Sequence, residues 1–216
     1  MNDGTRPVVV VLAGGAGRRF DGRGDKLVQG LGDTTVLAHT LSRVVQAGLP
    51  LVVVTTAALV PVAQTVVAAR DIVVVPPDVA GNATRAGSGH SIAAGVTARS
   101  QARGWLVLPG DMPLVRPATL HAVQRALADA PIAIAQHRGL RGHPIGFSQE
   151  LFTELCRLSN DDSVRRLLSR YPGCDVEVDD DGVHCDIDTA ATLTVARERL
   201  AATLSSQPRA EAPSLR

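Results

Sequence analysis

Residues 8–19 read VVVVLAGGAGRR, an apolar run that changes abruptly into a glycine-rich loop ending in two arginines. The apolar part, Val8 to Leu12, predicts a short strand that is buried on both faces, as in a parallel sheet. The glycines that follow have no Cβ, so several backbone N–H groups can approach a bound anion closely. The stretch predicts a phosphate-binding loop after the first strand, the alternative being a tight strand-to-helix turn without a ligand.

Four further apolar runs have the length and composition of buried strands. They are Leu51 to Thr55, Ile72 to Val75, Trp105 to Leu108 and Ile132 to Ala135. Helix-like stretches alternate with them, namely Val36 to Ala47, Val60 to Ala69, Ser91 to Ser100 and Pro117 to Ala128. This alternation implies right-handed βαβ crossovers. It predicts a single-domain, three-layer Rossmann-like α/β fold with a mostly parallel central sheet and helices on both faces.

The regular alternation of strands and helices ends after Gln136. We predict a loop over His137 to Gly142 and a strand around Ile145 to Phe147, then two helices, a strand and a closing helix. These later elements are helices at Gln149 to Leu158 and Asp162 to Ser169, a strand around Asp175 to Val178 and a helix from Ala190. The domain is expected to span residues 1–204. The Ser-, Pro-, Ala- and Arg-rich residues 205–216 are expected to form a disordered tail.

The composition favours a small-molecule partner. The chain has 216 residues, a formal net charge of +1 and 20% charged residues, so no strong field favours nucleic acid or a membrane surface. Its 3 cysteines follow no C-x-x-C spacing and read as reduced thiols of a cytoplasmic protein. No stretch reaches the length of a membrane span.

The spacing of the glycine-rich loop excludes two familiar nucleotide-binding motifs. A dinucleotide-binding loop needs G-x-G-x-x-G, but Phe20 stands in the place of the third glycine. A P-loop needs Gly-Lys-Ser/Thr, which does not occur in the chain. Arg18, Arg19 and Lys26 still supply positive charge for a polyphosphate, so phosphate binding remains the favoured interpretation.

Asp111 follows the apolar run that ends at Leu108, within the segment Gly110-Asp111-Met112-Pro113. A carboxylate directly after a buried strand lies at the carboxyl edge of the sheet, where it can hold Mg²⁺ against triphosphate oxygens. It lies several residues before Pro117, too far to cap that helix. Asp188 is a candidate second magnesium ligand, but Asp188 or Thr189 could instead cap the helix that begins at Ala190.

Two other segments offer candidate ligand contacts. Ser91 follows flexible glycines at the mouth of a helix, a place suited to a base edge or a phosphate, although a serine there can also be a helix cap. His143 and Pro144 form a His-Pro turn that leads into a strand. This turn either contacts the acceptor substrate or only shapes the loop.

The order of these segments resembles the nucleotidyltransferases that include molybdenum cofactor cytidylyltransferase and guanylyltransferase. The matching segments are Leu12 to Lys26, Gly87 to Gly95, Gly110 to Pro113, Arg141 to Phe147, Asn160 to Leu168 and Asp186 to Thr189. Asn160 and Ser163 stand where glycines are usual, and Thr192 where an acid is usual. The resemblance implies nucleotide contacts from Leu12, Ala13, Gly14, Gly15, Gly17, Arg19, Lys26, Ser91 and Asp111, of which Arg19, Lys26 and Asp111 are catalytic. It implies acceptor contacts from His143, Pro144 and Arg165, and metal ligation by Asp111 and Asp188.

The same resemblance implies the reaction. CTP or GTP donates a nucleotide, with Mg²⁺, to a phosphorylated pterin, and the product passes to a molybdoenzyme. The loop around Gly14 resembles the guanylyltransferase version, whereas the Asp111 and His143 motifs resemble the cytidylyltransferase, so CTP is favoured by two motifs against one. Two alternatives stay open: a nucleotidyltransferase for a sugar or polyol phosphate, and a nucleotide-binding protein that delivers cofactor without turnover.

Overall fold

The computed structural model describes residues 6–14, 20–22, 24–77 and 87–205, without the side chains of residues 203–205. In these ranges the strands are β1 (Val8–Ala13), β2 (Gly30–Leu31), β3 (Thr34–Thr35), β4 (Leu51–Thr55), β5 (Ile72–Val74), β6 (Gly104–Pro109), β7 (Ile132–His137), β8 (Leu140–Ser148) and β9 (Gly173–Glu177). The helices are α1 (Val36–Gln46), α2 (Val60–Ala63), α3 (Ser88–Ala98), α4 (Pro117–Ala126), α5 (Phe152–Cys156), α6 (Asp161–Arg170) and α7 (Ala190–Ser205).

Seven strands form one central sheet in the order β5-β4-β1-β6-β8-β7-β9. β1 pairs in parallel with β4 on one side and with β6 on the other. β8 is antiparallel to both of its neighbours, and β7 is again parallel to β9. A mostly parallel α/β sheet was predicted, and the structure confirms it.

Two apolar layers cover the faces of this sheet. Successive residues of a strand point to opposite faces. In β1, Val9 and Val11 pack into the layer that contains α1 and α7 residues such as Leu37 and Leu193. Val8 and Val10 pack into the other layer, with Ile92 of α3. All four valines are fully buried, which explains the unbroken apolar run at the start of the chain.

Three local predictions were wrong. The helix expected from residue 60 to 69 is α2 with only 4 residues, followed by turns. The loop expected between His137 and Gly142 is the tip of a β7–β8 hairpin. The helix expected over residues 149–158 is a 3₁₀ turn followed by the 5-residue α5. At the C-terminal end α7 extends to Ser205, and residues 206–216 of the tail lie outside the described residues.

Candidate active site

The carboxyl ends of β1 and β6 lie side by side at the point where the strand order of the sheet reverses. The chain passes from β1 to β4 on one side, and β6 later joins β1 on the other. Open α/β sheets bind ligands in the crevice outside such a point. The Gly110 N–H donates to the Leu12 carbonyl across this crevice over 2.8 Å, which fixes the segment after β6 beside the end of β1.

Asp111 lies at this crevice and is joined by the segment before α7. Its backbone carbonyl accepts a hydrogen bond of 3.0 Å from the Ile187 N–H, so residues 186–188 lie directly beside it. Asp111 is only 9% exposed. Its Oδ1 is buried and has no hydrogen-bond partner among the described residues. A buried carboxylate oxygen without a partner is costly for the protein alone, so this atom is poised for a ligand.

The Lys26 ammonium lies between Asp111 and Asp188. Its Nζ is 2.5 Å from Asp111 Oδ2, and it also forms a salt bridge and hydrogen bond with Asp188 Oδ1. Burial alone would lower the pKa of Lys26, but attraction by and hydrogen bonds to Asp111 and Asp188 outweigh it and raise the pKa above its ordinary value. The lysine backbone is held by the Asp25 side chain, which accepts from the Leu27 N–H over 2.9 Å, and by the buried Leu27.

Asp188 does not cap α7. The Thr192 N–H donates to Thr189 Oγ1, and the Thr189 N–H donates to Thr192 Oγ1, both over 3.0 Å. This reciprocal pair is a capping box in which Thr192 takes the place that an acid usually fills. The Ala190 N–H donates to Asp21 Oδ1 over 2.7 Å. The capping alternative therefore falls to Thr189, and the Asp188 carboxylate faces Lys26.

These two carboxylates are of the kind that can hold a divalent cation together with phosphate oxygens. Mg²⁺ in proteins that bind nucleotides is commonly held by one or two carboxylates, with phosphates and waters completing six oxygen ligands. Asp111 and Asp188 share one neighbouring cation, and Asp111 has a spare buried oxygen. Within the described ranges no group of three or more His, Cys, Asp or Glu residues could hold a metal.

A cavity of about 580 Å³ opens from this pair toward the β7–β8 hairpin. Four of the predicted site residues line it, namely Lys26, Asp111, His143 and Asp188. Three polar residues whose roles the sequence did not indicate line it as well: Arg141, His184 and Asp186. The spacing of Asp186 from Asp188 was an available signal, because residues two apart in an extended segment point to the same side.

The hairpin side of the cavity presents His143 and Arg141. Burial lowers the pKa of His143 below its ordinary value, and the negative charge of Asp111 only partly opposes this. Arg141 donates from Nε and Nη2 to the two oxygens of Asp175, over 2.7 and 3.2 Å. Gly142 lies against Val183, whose carbonyl a Cβ would strike. A close backbone approach thus requires the glycine of the His-Pro motif.

On the other side of β1, Gly14 and Ser91 lie together. A Cβ on Gly14 would come within 3.2 Å of Ser91 Oγ. Ser91 does not cap α3, because this helix begins at Ser88 and the Asp161 carboxylate accepts from the Ser88 N–H over 2.7 Å. The carbonyl of Ala13 accepts a hydrogen bond from Thr55 Oγ1 over 3.1 Å. Gly14 and Ser91 are thus adjacent, as a shared nucleotide contact requires.

Two other predicted site residues, Arg165 and Pro144, do not line the cavity. Arg165 is exposed on α6, where it pairs with Asp162 over 3.1 Å, and it does not line the cavity. Pro144 is buried and does not line the cavity either. Gly15, Gly17 and Arg19 of the predicted phosphate loop lie outside the described residues.

The sheet, with a lysine between two carboxylates at its crevice, defines a protein of the α/β nucleotidyltransferase class. A family model described as MobA-like NTP transferase domain matches residues 9–175. The chain belongs to this family of nucleotidyltransferases, and the resemblance noted in the sequence is thereby confirmed. A search of curated proteins found no match. No helix within the described ranges has the length and apolarity to cross a membrane.

Solved structures agree with this assignment. Rv0371c from Mycobacterium tuberculosis is 30% identical with a TM-score of 0.73, over 90% of this chain and 98% of that one. A complex of Rv0371C with manganese is 31% identical with a TM-score of 0.69, again over 90% and 98%. Molybdopterin-guanine dinucleotide biosynthesis protein A from Archaeoglobus fulgidus shares the fold, at 18% identity and a TM-score of 0.67 over 90% and 99%. So does 4-diphosphocytidyl-2C-methyl-D-erythritol synthase from Anaerococcus prevotii, at 12% and 0.63 over 92% and 100%.

Proposed function

We propose that this protein transfers the nucleotide of CTP, with Mg²⁺, to the phosphate of a molybdopterin-type acceptor and releases pyrophosphate. The observation that carries the proposal is the placement of Asp111 and Asp188 around Lys26, at the crevice between β1 and β6 and at one end of a cavity of about 580 Å³. A cavity of this size is in the range of small-molecule sites. GTP is the second candidate donor.

Asp111 and Asp188 are the residues that would hold the metal. Mg²⁺ bound there would neutralise negative charge on the donor phosphates as the reaction proceeds. Asp111 has the buried oxygen without a partner, which suits direct ligation. That the relative Rv0371C was solved as a complex with manganese supports the use of a divalent metal in this family.

The remaining chemistry needs charge and position rather than a base. An oxygen of the acceptor phosphate attacks the α-phosphorus of CTP, a new P–O–P bond forms, and the bond between the α-phosphorus and the bridging oxygen breaks. The electron pair leaves with pyrophosphate, whose charge Lys26 and the predicted loop residues Gly15, Gly17 and Arg19 would stabilise. Because a phosphate monoester is already an anion at neutral pH, no residue has to remove a proton.

The hairpin end of the cavity is the proposed acceptor side. His143 and Arg141 face it from β8, on the side of Asp111 away from Gly14 and Ser91. We propose that Leu12, Ala13, Gly14 and Ser91 contact the donor nucleotide and that His143, adjoined by Pro144, contacts the acceptor. Arg165 would reach an anionic acceptor only from outside the cavity wall. Delivery of the product to a molybdoenzyme belongs to the same proposal.

Two alternative functions differ from this proposal, one in the acceptor and the other in the absence of turnover. The family fold also serves 4-diphosphocytidyl-2C-methyl-D-erythritol synthase, whose name indicates a polyol acceptor. A protein that binds nucleotide but only delivers cofactor would release no pyrophosphate. The intact Lys26, Asp111 and Asp188 arrangement favours turnover over delivery.

Pyrophosphate release tests the proposal. Purified protein with Mg²⁺ is given CTP or GTP and, in turn, molybdopterin, a sugar phosphate or a polyol phosphate. We expect release with CTP and molybdopterin. In Asp111→Asn we expect kcat to fall about 100-fold or more, since the change removes charge from the reacting phosphates while keeping the side chain's shape.

A matched control and the contrary outcomes complete this experiment. Asp71→Asn also removes an ion-paired aspartate, one that bonds Arg99 over 2.7 Å and does not line the cavity, and it should keep full activity. Release only with a sugar or polyol phosphate would replace the pterin acceptor. Nucleotide binding without release from any acceptor would support delivery, and undiminished activity of Asp111→Asn would refute its metal role.

A further inference from the structure

The Lys26 ammonium occupies the position between the two carboxylates that are proposed to hold the metal. Its Nζ lies 2.5 Å from Asp111 Oδ2 and also forms a salt bridge with Asp188 Oδ1. Both carboxylates are largely buried, with side-chain exposures of 12% and 23%. A metal ion that bridged the two carboxylates would therefore compete with the Lys26 ammonium for the same oxygens.

The ammonium only partly satisfies this group of acids. Asp111 and Asp188 both contact Lys26, and Asp186 lines the same cavity. Asp111 Oδ1 gains no hydrogen bond from any described residue even with the lysine in place. A divalent cation could take an oxygen from each carboxylate, including the Asp111 Oδ1 that the lysine leaves without a hydrogen bond.

The Lys26 side chain can move away from the two carboxylates while its backbone stays in place. Leu27, the next residue, is buried in the core, and Asp25 caps the short 3₁₀ turn that carries both. The lysine side chain is a flexible four-carbon stem with a compact charge at its end. Displacement of the ammonium therefore requires rotation of side-chain bonds and a new anion to receive it.

We propose that Lys26 is the resident counter-cation of the Asp111–Asp188 pair, and that it makes divalent-metal binding conditional on the nucleotide. This inference rests on the proposed function, because the triphosphate supplies the anion to which the ammonium moves. Without nucleotide the lysine blocks the pair. With nucleotide the same residue turns from a competitor of the metal into a partner of the phosphates, so metal and donor enter together.

Mn²⁺ binding without nucleotide tests the proposal independently of catalysis. Titration of the full-length protein with Mn²⁺ is followed by calorimetry or by the electron paramagnetic resonance signal of the free ion. We expect weak binding to the wild-type protein and about 10-fold or more tighter binding to Lys26→Met, because a neighbouring positive charge has been removed from a partly buried site. Lys26→Gln should act in the same direction, and Lys26→Arg, which keeps the charge, should bind as weakly as wild type.

Further variants separate this effect from a change elsewhere. Asp111→Asn in the Lys26→Met background should abolish the gained affinity. Lys26→Met should melt at a lower temperature than wild type without metal, because two carboxylates lose their counter-charge, and Mn²⁺ should restore it. Equal or weaker Mn²⁺ binding by folded Lys26→Met and Lys26→Gln would overturn the proposal, as would a gain that survives Asp111→Asn. A protein that failed to release pyrophosphate could still pass this test, so the two proposals fail separately.

Discussion

Two buried polar atoms, Asp111 Oδ1 and His39 Nε2, lack a hydrogen-bond partner among the described residues. Their surroundings differ. Asp111 lines the cavity beside Lys26, whereas His39 lies on α1 and is not part of the cavity lining. An unsatisfied atom at a ligand site can be satisfied by the ligand, while one elsewhere only costs stability. A ligand can therefore supply the missing hydrogen bond at Asp111, whereas at His39 the missing hydrogen bond only lowers the stability of the protein.

His39→Leu is expected to stabilise the protein by about 1 kcal/mol at neutral pH, because it removes an unsatisfied buried nitrogen and Leu favours helix more than His. The pKa of His39 is lowered by burial and then by Arg43, against a smaller opposing effect of Asp33. The unfolded state therefore binds more protons than the native state below about pH 6.5, and stability falls as pH drops through this range. Leucine removes that contribution.

Urea unfolding at pH 7.5, 6.5 and 5.5 measures both effects. The free energy of unfolding of His39→Leu should decline less than that of wild type between the first and the last pH. His90→Leu, which changes an exposed histidine in α3, is the control and measures the general effect of replacing a helical histidine by leucine. A parallel decline in His39→Leu and wild type would show that this histidine does not titrate differently on folding.

At the scale of elements, the seven strands of the central sheet were predicted from the sequence, whereas the short strands β2 and β3 were not, and two of the expected helices are much shorter than predicted. Strands β4 and β7 begin where expected because buried parallel strands leave a continuous apolar run in the sequence. The run from Val60 to Ala69 has a helix-like apolar pattern too, but it contains Thr65, Val66 and Val67, which are β-branched and disfavour helix. Thr65 Oγ1 also donates to the Val62 carbonyl, giving the backbone an alternative to helix.

The β7–β8 hairpin was missed for a reason of turn chemistry. Its two turn residues, Arg138 and Gly139, have φ values of 51° and 78°. A two-residue hairpin turn of type I′ needs positive φ at both positions, and its usual sequence signal is Asn-Gly or Asp-Gly rather than Arg-Gly. The Arg138 N–H donates to Glu177 Oε1 of β9 over 2.7 Å, a tertiary contact that supports the turn. Sequence alone does not reveal such support.

Asp180 links two elements that frame the site. It is 2% exposed and accepts hydrogen bonds from the Arg116 N–H at 2.8 Å, from Thr119 Oγ1 at 2.5 Å and from the Gly182 N–H at 3.0 Å. It thereby ties the start of α4 to the segment that leads to Asp188. Asp180→Ala should lower the free energy of unfolding by about 2 to 4 kcal/mol, because it leaves buried donors unpaired.

Urea unfolding checks this change against a neighbouring aspartate. Asp179 is exposed, and its backbone carbonyl, rather than its side chain, accepts from Arg116 Nη1 over 2.7 Å. Asp179→Ala should therefore stay within about 0.5 kcal/mol of wild type. In Asp180→Ala we also expect weaker Mn²⁺ binding in the Lys26→Met background, since the segment that leads to Asp188 loses one of its anchors. Equal stability of the two alanine variants would contradict the linking role.

At the scale of the molecule, the site is an assembly of distant segments. Lys26 and Asp188 are 162 residues apart in sequence, and the Ile187 N–H bond to the Asp111 carbonyl brings the last of the three segments into place. The sequence could place Asp111 at the carboxyl edge of the sheet, since this follows from strand order. It could not show that Lys26 lies between two carboxylates, because this depends on how α7 packs back onto the sheet.

The donor base is best tested on the whole folded protein. A ligand that binds only the folded state raises its stability, by about 2.7 kcal/mol at a concentration of 100 times the dissociation constant. For a chain of this size that corresponds to a melting-temperature rise of about 5 to 10 °C. With Mg²⁺ and matched concentrations, we expect CTP to raise the melting temperature more than GTP, as two of the three motifs favour cytidine.

The same titration in Asp111→Asn separates the base from the phosphates. If the metal joins donor and protein through Asp111, the variant should lose most of the CTP-dependent rise, while cytidine, which lacks phosphates, should give the same small effect in both proteins. A larger rise with GTP would reverse the base assignment and leave the metal role intact. An undiminished CTP effect in Asp111→Asn would instead remove Asp111 from nucleotide binding, and the buried oxygen beside Lys26 would then need another ligand.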